Sequence, residues 1–165
     1  RYTEFGRWLR TKHVMIRIND TLFVHGGISP ELIDTGMNMD QINRRFRKAM
    51  DLDFPYSEPD NRIEALYRIL LGRNGPVWYR GYYKETRISE KSFVRILRHF
   101  NVRRIVVGHT KQKTITPLYR NKLFAIDVMD YTKPKNDSGE ALLIEGGHVY
   151  RLSRTGMKEM IISDN

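Results

Sequence analysis

Residues 21–27 read TLFVHGG and residues 104–110 read RIVVGHT. Each is a short apolar run that ends in a histidine beside glycine. Runs of this length, rich in β-branched residues, predict strands, and the near absence of polar positions in RIVV predicts one covered on both faces. Strand ends that open into loops are where α/β sheets place ligand sites. His25 and His109 are therefore the first candidates for chemistry. The adjacent glycines let the backbone turn sharply and keep bulk away from each ring. A neutral imidazole at such a rim is a good ligand for Mn, Fe or Zn. By residue type alone, each is more often an isolated histidine, hydrogen-bonded where its strand ends; two in the same sheet-end context shift the balance toward a site.

Working outward, His13 to Asn19 (HVMIRIN) alternates, with Val14, Ile16 and Ile18 on one face, and the Asn-Asp pair joins it to TLFVH as a hairpin. Upstream, Phe5, Trp8 and Leu9 fall at helical spacing, so residues 1–12 read as the tail of a helix with more chain expected before it. Downstream, Ser29-Pro30 opens a loop. Asn38 and Gln41 have capping-box spacing and start a basic helix to about Met50, with Ile42, Phe46 and Ala49 apolar. A Pro- and Asp-rich connector follows over 51–61. The next helix, carrying Ile63, Leu66, Tyr67 and Leu70, has Gly72 as its C′ residue, which makes 38–72 a helical segment. Ser89 caps a third helix with Phe93, Ile96, Leu97 and Phe100 on one face. Lys122 to Val128 is another buried strand, 130–139 is a polar loop, and Gly146-Gly147 joins a closing hairpin. The expected fold class is α/β of the α+β type, with one mixed sheet that includes the closing hairpin.

Composition narrows the function. Of 165 residues, 40% are hydrophobic and 29% charged, which is globular. There is no cysteine, so a disulfide scaffold, thiolate zinc and a cysteine nucleophile within these residues are excluded. The same fact fits a reducing, cytoplasmic setting. No apolar run reaches the roughly 20 residues of a membrane helix. Lys and Arg number 29 against 19 Asp and Glu, a surplus of +10 that favours anionic partners.

The stretch GPVWYRGYY, 75–83, has no period. Its one arginine, Arg80, is set among aromatics and stiffened by Pro76. A guanidinium is a planar, permanently charged fork that matches a phosphate oxyanion. Stacking on Trp78 or Tyr82 at the surface explains the same residue without any ligand.

Taken together, FVHGGISPEL at 23–32, DQINRRFR at 40–47, WYRG at 78–81 and VVGHT at 106–110 resemble the phosphoprotein phosphatases of the calcineurin-like metallophosphoesterase superfamily, in their bacterial, Shewanella-like branch. The resemblance spans about Val14 to Ile144. It implies the C-terminal part of a four-layer αββα sandwich, with residues 1–165 as the C-terminal portion of a single metallophosphatase domain. It implies His25 and His109 as metal ligands, and Arg80 as catalytic and substrate-binding, with Tyr79 beside it. Two divalent metal ions, Mn, Fe or Zn, would activate water for attack on a phosphomonoester. The substrate would be a phosphoprotein, of the serine/threonine type, or a small phosphomonoester. The family's D-x-H, GDxxD and GNH motifs are absent from these residues, so the chain alone is expected to be inactive. Lys111 stands where the related phosphodiesterases carry a second histidine, which favours the phosphomonoesterase branch.

Two alternatives differ in kind. A dinucleoside-polyphosphate hydrolase would look similar around the histidines. A basic module without catalysis would use Arg44, Arg45, Arg47 and Lys48, or Arg95, Arg98, Arg103 and Arg104, as a nucleic-acid footprint. No recognised nucleic-acid motif accompanies them, so nucleic acid is not the expected partner, and neither is a membrane.

Overall fold

The computed structural model describes residues 3–50, 61–83, 85–128 and 139–163. The connector at 51–60, and with it the middle of the expected helical segment 38–72, lies outside the described residues, as does most of the polar loop at 130–139.

Among the described residues the fold is α+β, with two sheets. Strands β1 (Met15–Ile18), β2 (Thr21–Val24), β3 (Arg104–Val107), β4 (Thr116–Leu118) and β5 (Leu123–Ala125) form a five-stranded mixed sheet in the order β1-β2-β3-β5-β4. β2, β3 and β5 run parallel, and the two edge strands run antiparallel to their neighbours. The closing hairpin, β6 (Glu140–Glu145) and β7 (His148–Ser153), departs from expectation. It pairs with β8 (Lys158–Ile162) in a separate three-stranded sheet. That sheet covers Val106 and Phe124 through Val149, Leu142 and Ile162. A half-buried ion-pair cluster docks it: Arg151 pairs with Glu140 at 3.4 Å, the Glu140 carboxylate accepts from the Ile115 backbone N–H at 2.7 Å and from the Thr114 hydroxyl, and the Arg151 guanidinium donates to the Ile115 carbonyl at 2.8 Å.

The opposite face of the large sheet carries the main core. Met15, Leu22, Ile105, Val107 and Leu123 are buried there against the helices. Helices α1 (Glu4–Arg10), α2 (Pro30–Asp34), α3 (Met39–Ala49), α4 (Arg62–Leu71) and α5 (Glu90–His99) all start at a side-chain cap. Asn38 and Gln41 form the expected capping box, which satisfies donors that the first turn of α3 would otherwise leave open. A polar residue inside the core has a structural task. Asn43 of α3 accepts from the backbone N–H groups of Val14 and Met15 and donates to the Met15 carbonyl, which ties the helix to the edge strand.

Two local readings are corrected. Ser29-Pro30 begins the short helix α2 rather than a loop, with Ser29 accepting from the Leu32 N–H. Gly72 ends α4 in an extended conformation, not a left-handed one. Glycine is needed there because a Cβ would lie 2.5 Å from the Arg68 carbonyl oxygen. No helix among the described residues is long and apolar enough to cross a membrane.

Candidate active site

The parallel pairing of β2 with β3 aligns Val24 with Val107. The two chains leave the sheet side by side, and the Gly108 N–H donates to the His25 carbonyl at 2.8 Å. One residue on, His109 takes a left-handed backbone conformation (φ 65°), unusual for a residue with a side chain. That turn swings its imidazole back toward the neighbouring strand. The His25 and His109 rings lie 5.0 Å apart, centre to centre, with planes tilted by 59°. His25 is exposed and His109 half-buried.

The aromatic loop completes the site from the other side. The Gly26 and Gly27 N–H groups both donate to the Pro76 carbonyl, at 2.7 and 3.2 Å. The approach is close enough that a Cβ on Gly26 would sit 2.5 Å from the Val77 carbonyl oxygen, and one on Gly27 would enter the Tyr82 ring. Tyr82 is fully buried; its hydroxyl accepts from the Ile28 N–H at 2.8 Å and donates to the Ile28 carbonyl at 2.9 Å. Its ring meets Tyr79, Phe93 and Tyr119 edge-on. The loop is thus bolted to the segment after β2 by backbone and aromatic contacts together.

This anchoring presents Arg80. Its Nη1 donates to the Thr110 hydroxyl at 3.0 Å, and its carbonyl accepts from Thr86 at 3.0 Å. Thr110 follows His109, so Arg80 and the imidazole pair share one rim. Exposed Trp78 stands edge-on to His109 at 5.4 Å. Tyr79 is only 6% exposed and belongs to the aromatic core. It still forms part of the wall of a groove of about 800 Å³ that also takes in Trp78, Arg80, Glu31 and Arg73. Neither imidazole lines that groove; it starts where the guanidinium ends.

The electrostatics favour a neutral His109. Burial pushes its pKa below the usual histidine value, and the positive charge of Arg80 and the neighbouring His25 push the same way, against Asp127. Its Nε2 is buried and makes no hydrogen bond. A deprotonated, unbonded imidazole nitrogen is what a metal ion requires of a ligand. Asp127, just past the end of β5, is a residue the sequence reading passed over. It acts electrostatically on both His109 and the Tyr83 phenol, whose pKa burial raises. The signal was present: LFAID ends an apolar run in a polar residue as FVH and VVGH do. Among the described residues no three His, Cys, Asp or Glu side chains gather as a ligand set.

The glycines beside the imidazoles are not equivalent. Gly26 and Gly27 are required by contact. A Cβ on Gly108 would meet the His25 carbonyl oxygen and Nδ1 at 3.6 and 3.7 Å, which is ordinary van der Waals distance.

No family model matches the chain. Among curated proteins it is similar to Shewanella-like protein phosphatase 1 of Plasmodium berghei (strain Anka), at 26% identity over 76% of this chain and 34% of that protein. Among solved structures it is similar to the cold-active protein-tyrosine phosphatase of a psychrophilic Shewanella species. That match has a TM-score of 0.82 and 41% identity over 97% of this chain and 46% of the other. A second structure of a cold-active protein tyrosine phosphatase matches with a TM-score of 0.81 at 41% identity, over 96% of this chain and 45% of that one. The chain thus spans less than half the length of each of these relatives.

Proposed function

We propose that this chain forms one side of the active site of a phosphatase that hydrolyses phosphomonoesters on protein side chains. One observation carries the reading: two imidazoles 5.0 Å apart at the ends of adjacent parallel strands, on the same rim as the Arg80–Thr110 hydrogen bond. Similarity to proteins named phosphatases supports it.

His25 and His109 would hold a divalent cation, Mn, Fe or Zn. The unbonded Nε2 of His109 and its depressed pKa fit that task. Catalytic metals usually take at least three protein ligands, so the remaining ligands are assigned to chain beyond these residues. When bound, such a cation would polarise the phosphoryl group and lower the pKa of water.

The other tasks fall to this chain's own side chains. Arg80 would pair its remaining N–H groups with phosphate oxygens and stabilise the charge that grows on them. Thr110 would hold the guanidinium still. Trp78 would form an apolar shelf against the group that carries the phosphate, with the groove beside Arg80 taking the adjoining peptide.

An aromatic shelf beside the guanidinium suits an aryl phosphate. Together with the naming of both solved relatives as tyrosine phosphatases, this favours phosphotyrosine over the serine/threonine substrates expected from sequence. These 165 residues contain no cysteine, so they supply no nucleophile for a cysteinyl-phosphate route.

The test is hydrolysis of p-nitrophenyl phosphate, phosphotyrosine peptide and phosphoserine peptide by the full-length protein with Mn. Arg80→Ala is expected to lower kcat/KM by about 100-fold or more, and His109→Ala to abolish turnover. The 165 residues alone should be inactive. Undiminished activity in both variants would remove this rim from the chemistry, and a preference for phosphoserine would overturn the aryl reading.

A further inference from the structure

At the opposite end of β3, roughly 16 Å from His109 at about 3.3 Å per residue, lies a second concentration of charge that the phosphatase reading does not use. A groove of about 580 Å³ runs between the end of α5, the start of β3 and the turn before β5. Arg98, Arg103, Arg104, Arg120 and Lys122 all line it. Asp20 pairs with Arg103 and Arg104, at 3.7 and 3.6 Å. No carboxylate among the described residues pairs with the exposed side chains of Arg98, Arg120 or Lys122.

Placement of cations at a helix C-terminus would explain Arg98, since α5 ends there with its negative dipole end. It does not explain Arg120 and Lys122, which come from a different segment. That segment is unusual in itself. Tyr119, Arg120 and Asn121 are three consecutive non-glycine residues with left-handed backbones (φ 49°, 53° and 63°). Such conformations cost energy and persist where surrounding structure fixes them. Here the anchor is Tyr119, which is buried, stacked on Phe93 at 4.2 Å, and donates its hydroxyl to the Ile88 carbonyl. The strained turn raises Arg120 and Asn121 to the rim of the groove.

The shape of the groove indicates what it takes. Its lining includes Val94, Leu97, Val102 and Ile162. No aromatic ring lines it, and Phe93 and Tyr119, which border the adjoining groove, are buried and stacked on each other, so neither offers the exposed stacking platform that single-stranded nucleic acid uses. It is recessed, whereas a membrane surface is met by protruding apolar side chains. A neighbouring groove of about 330 Å³ shares Val94, Arg98, Arg120 and Lys122 with it, which makes the basic track elongated. The one acidic residue lining that extension, Glu90, is engaged by Arg87.

We infer that this basic track is a docking site for an extended acidic peptide segment, with Asp or Glu side chains against Arg98, Arg120 and Lys122 and an apolar residue on the floor between them. The inference stands independently of the phosphatase reading, because no residue is common to the two sites.

The experiment measures fluorescence anisotropy of a fluorescein-labelled peptide with a central Leu flanked on each side by Glu and Asp, titrated with the protein at low salt. Arg98→Glu combined with Arg120→Glu is expected to weaken binding at least tenfold with an unchanged melting temperature. Arg44→Glu with Arg45→Glu, a charge change of the same size on exposed positions of α3, should alter it less than twofold. Lys122→Gln, a milder change, should weaken it about threefold and serves if the double variant fails to fold. Equal loss in both double variants would reduce the effect to net charge and overturn the site. Tighter binding of an oligothymidylate or of phosphatidylserine vesicles, lost through the same substitutions, would overturn the peptide as occupant.

Discussion

The ends of β2 and β3 deliver their histidines by different physical means. At the end of β2 the backbone is held from outside. Two glycines lie under the 75–82 loop at distances no side chain would permit, and the imidazole just before them stands in solvent. At the end of β3 the constraint is internal. A Cβ on Gly108 would fit at ordinary contact distance, and the imidazole is aimed by its own left-handed backbone and shaped electrically by burial. The first arrangement fixes position through packing, so it is fragile to added bulk. The second fixes protonation through environment, so it is sensitive to charge.

That contrast can be broken most decisively at Gly27. Alanine there must both occupy a disfavoured backbone conformation (φ 150°) and displace Tyr82. The expected cost is about 3 kcal/mol or more, read as a fall in the denaturant midpoint. A loss below about 1 kcal/mol would mean that the loop is not pinned.

Tyr82→Phe comes next. It keeps the ring but strips the Ile28 N–H and carbonyl of their buried partner, at an expected cost of about 1–3 kcal/mol by the same measurement.

The charge-sensitive side is probed by pH. His109 binds a proton less readily in the folded protein than in the unfolded chain, whose value is near 6.5. The unfolded state therefore takes up more protons as the pH falls through the window below 6.5, and stability drops there. Arg80→Gln removes one of the three causes of that depression. The His109 resonance followed by NMR should then titrate at a higher pH. An unchanged midpoint would separate Arg80 from the imidazole.

The smallest effect is expected at Gly108→Ala, within about 0.5 kcal/mol. If it matched Gly27→Ala, the two strand ends would be held in the same way after all.

These differences also mark what could be read from sequence. The pattern of an apolar run ending in histidine placed both imidazoles, because the rule needs only local information. Arg80 was visible as one cation in an aromatic loop. The capping signals at Asn38, Asn61 and Ser89 placed three helices, since each cap is a contact between residues three apart. Partnership between distant segments was less accessible. The closing hairpin pairs with β8, whose residues 158–162 (KEMII) show no clean alternation. β4 has three residues with a proline among them, tolerated because it is an edge strand. α2 has five residues and rests on its Ser29 cap and Pro30 rather than on any periodicity. Tyr79 reads as a neighbour of Arg80 in sequence, yet alternation in the loop turns it into the aromatic core. The unequal need for glycine beside the histidines depends on what the loop does overhead.

The parallel pairing of Val24 with Val107 has a practical corollary. The gap between the imidazoles is measured across one rung of the ladder, not along the polypeptide that joins them. Residues added to the connections between α2 and α5 lengthen that path without adding to the gap, whereas a single residue inserted within β2 would reverse which side of the sheet its histidine serves.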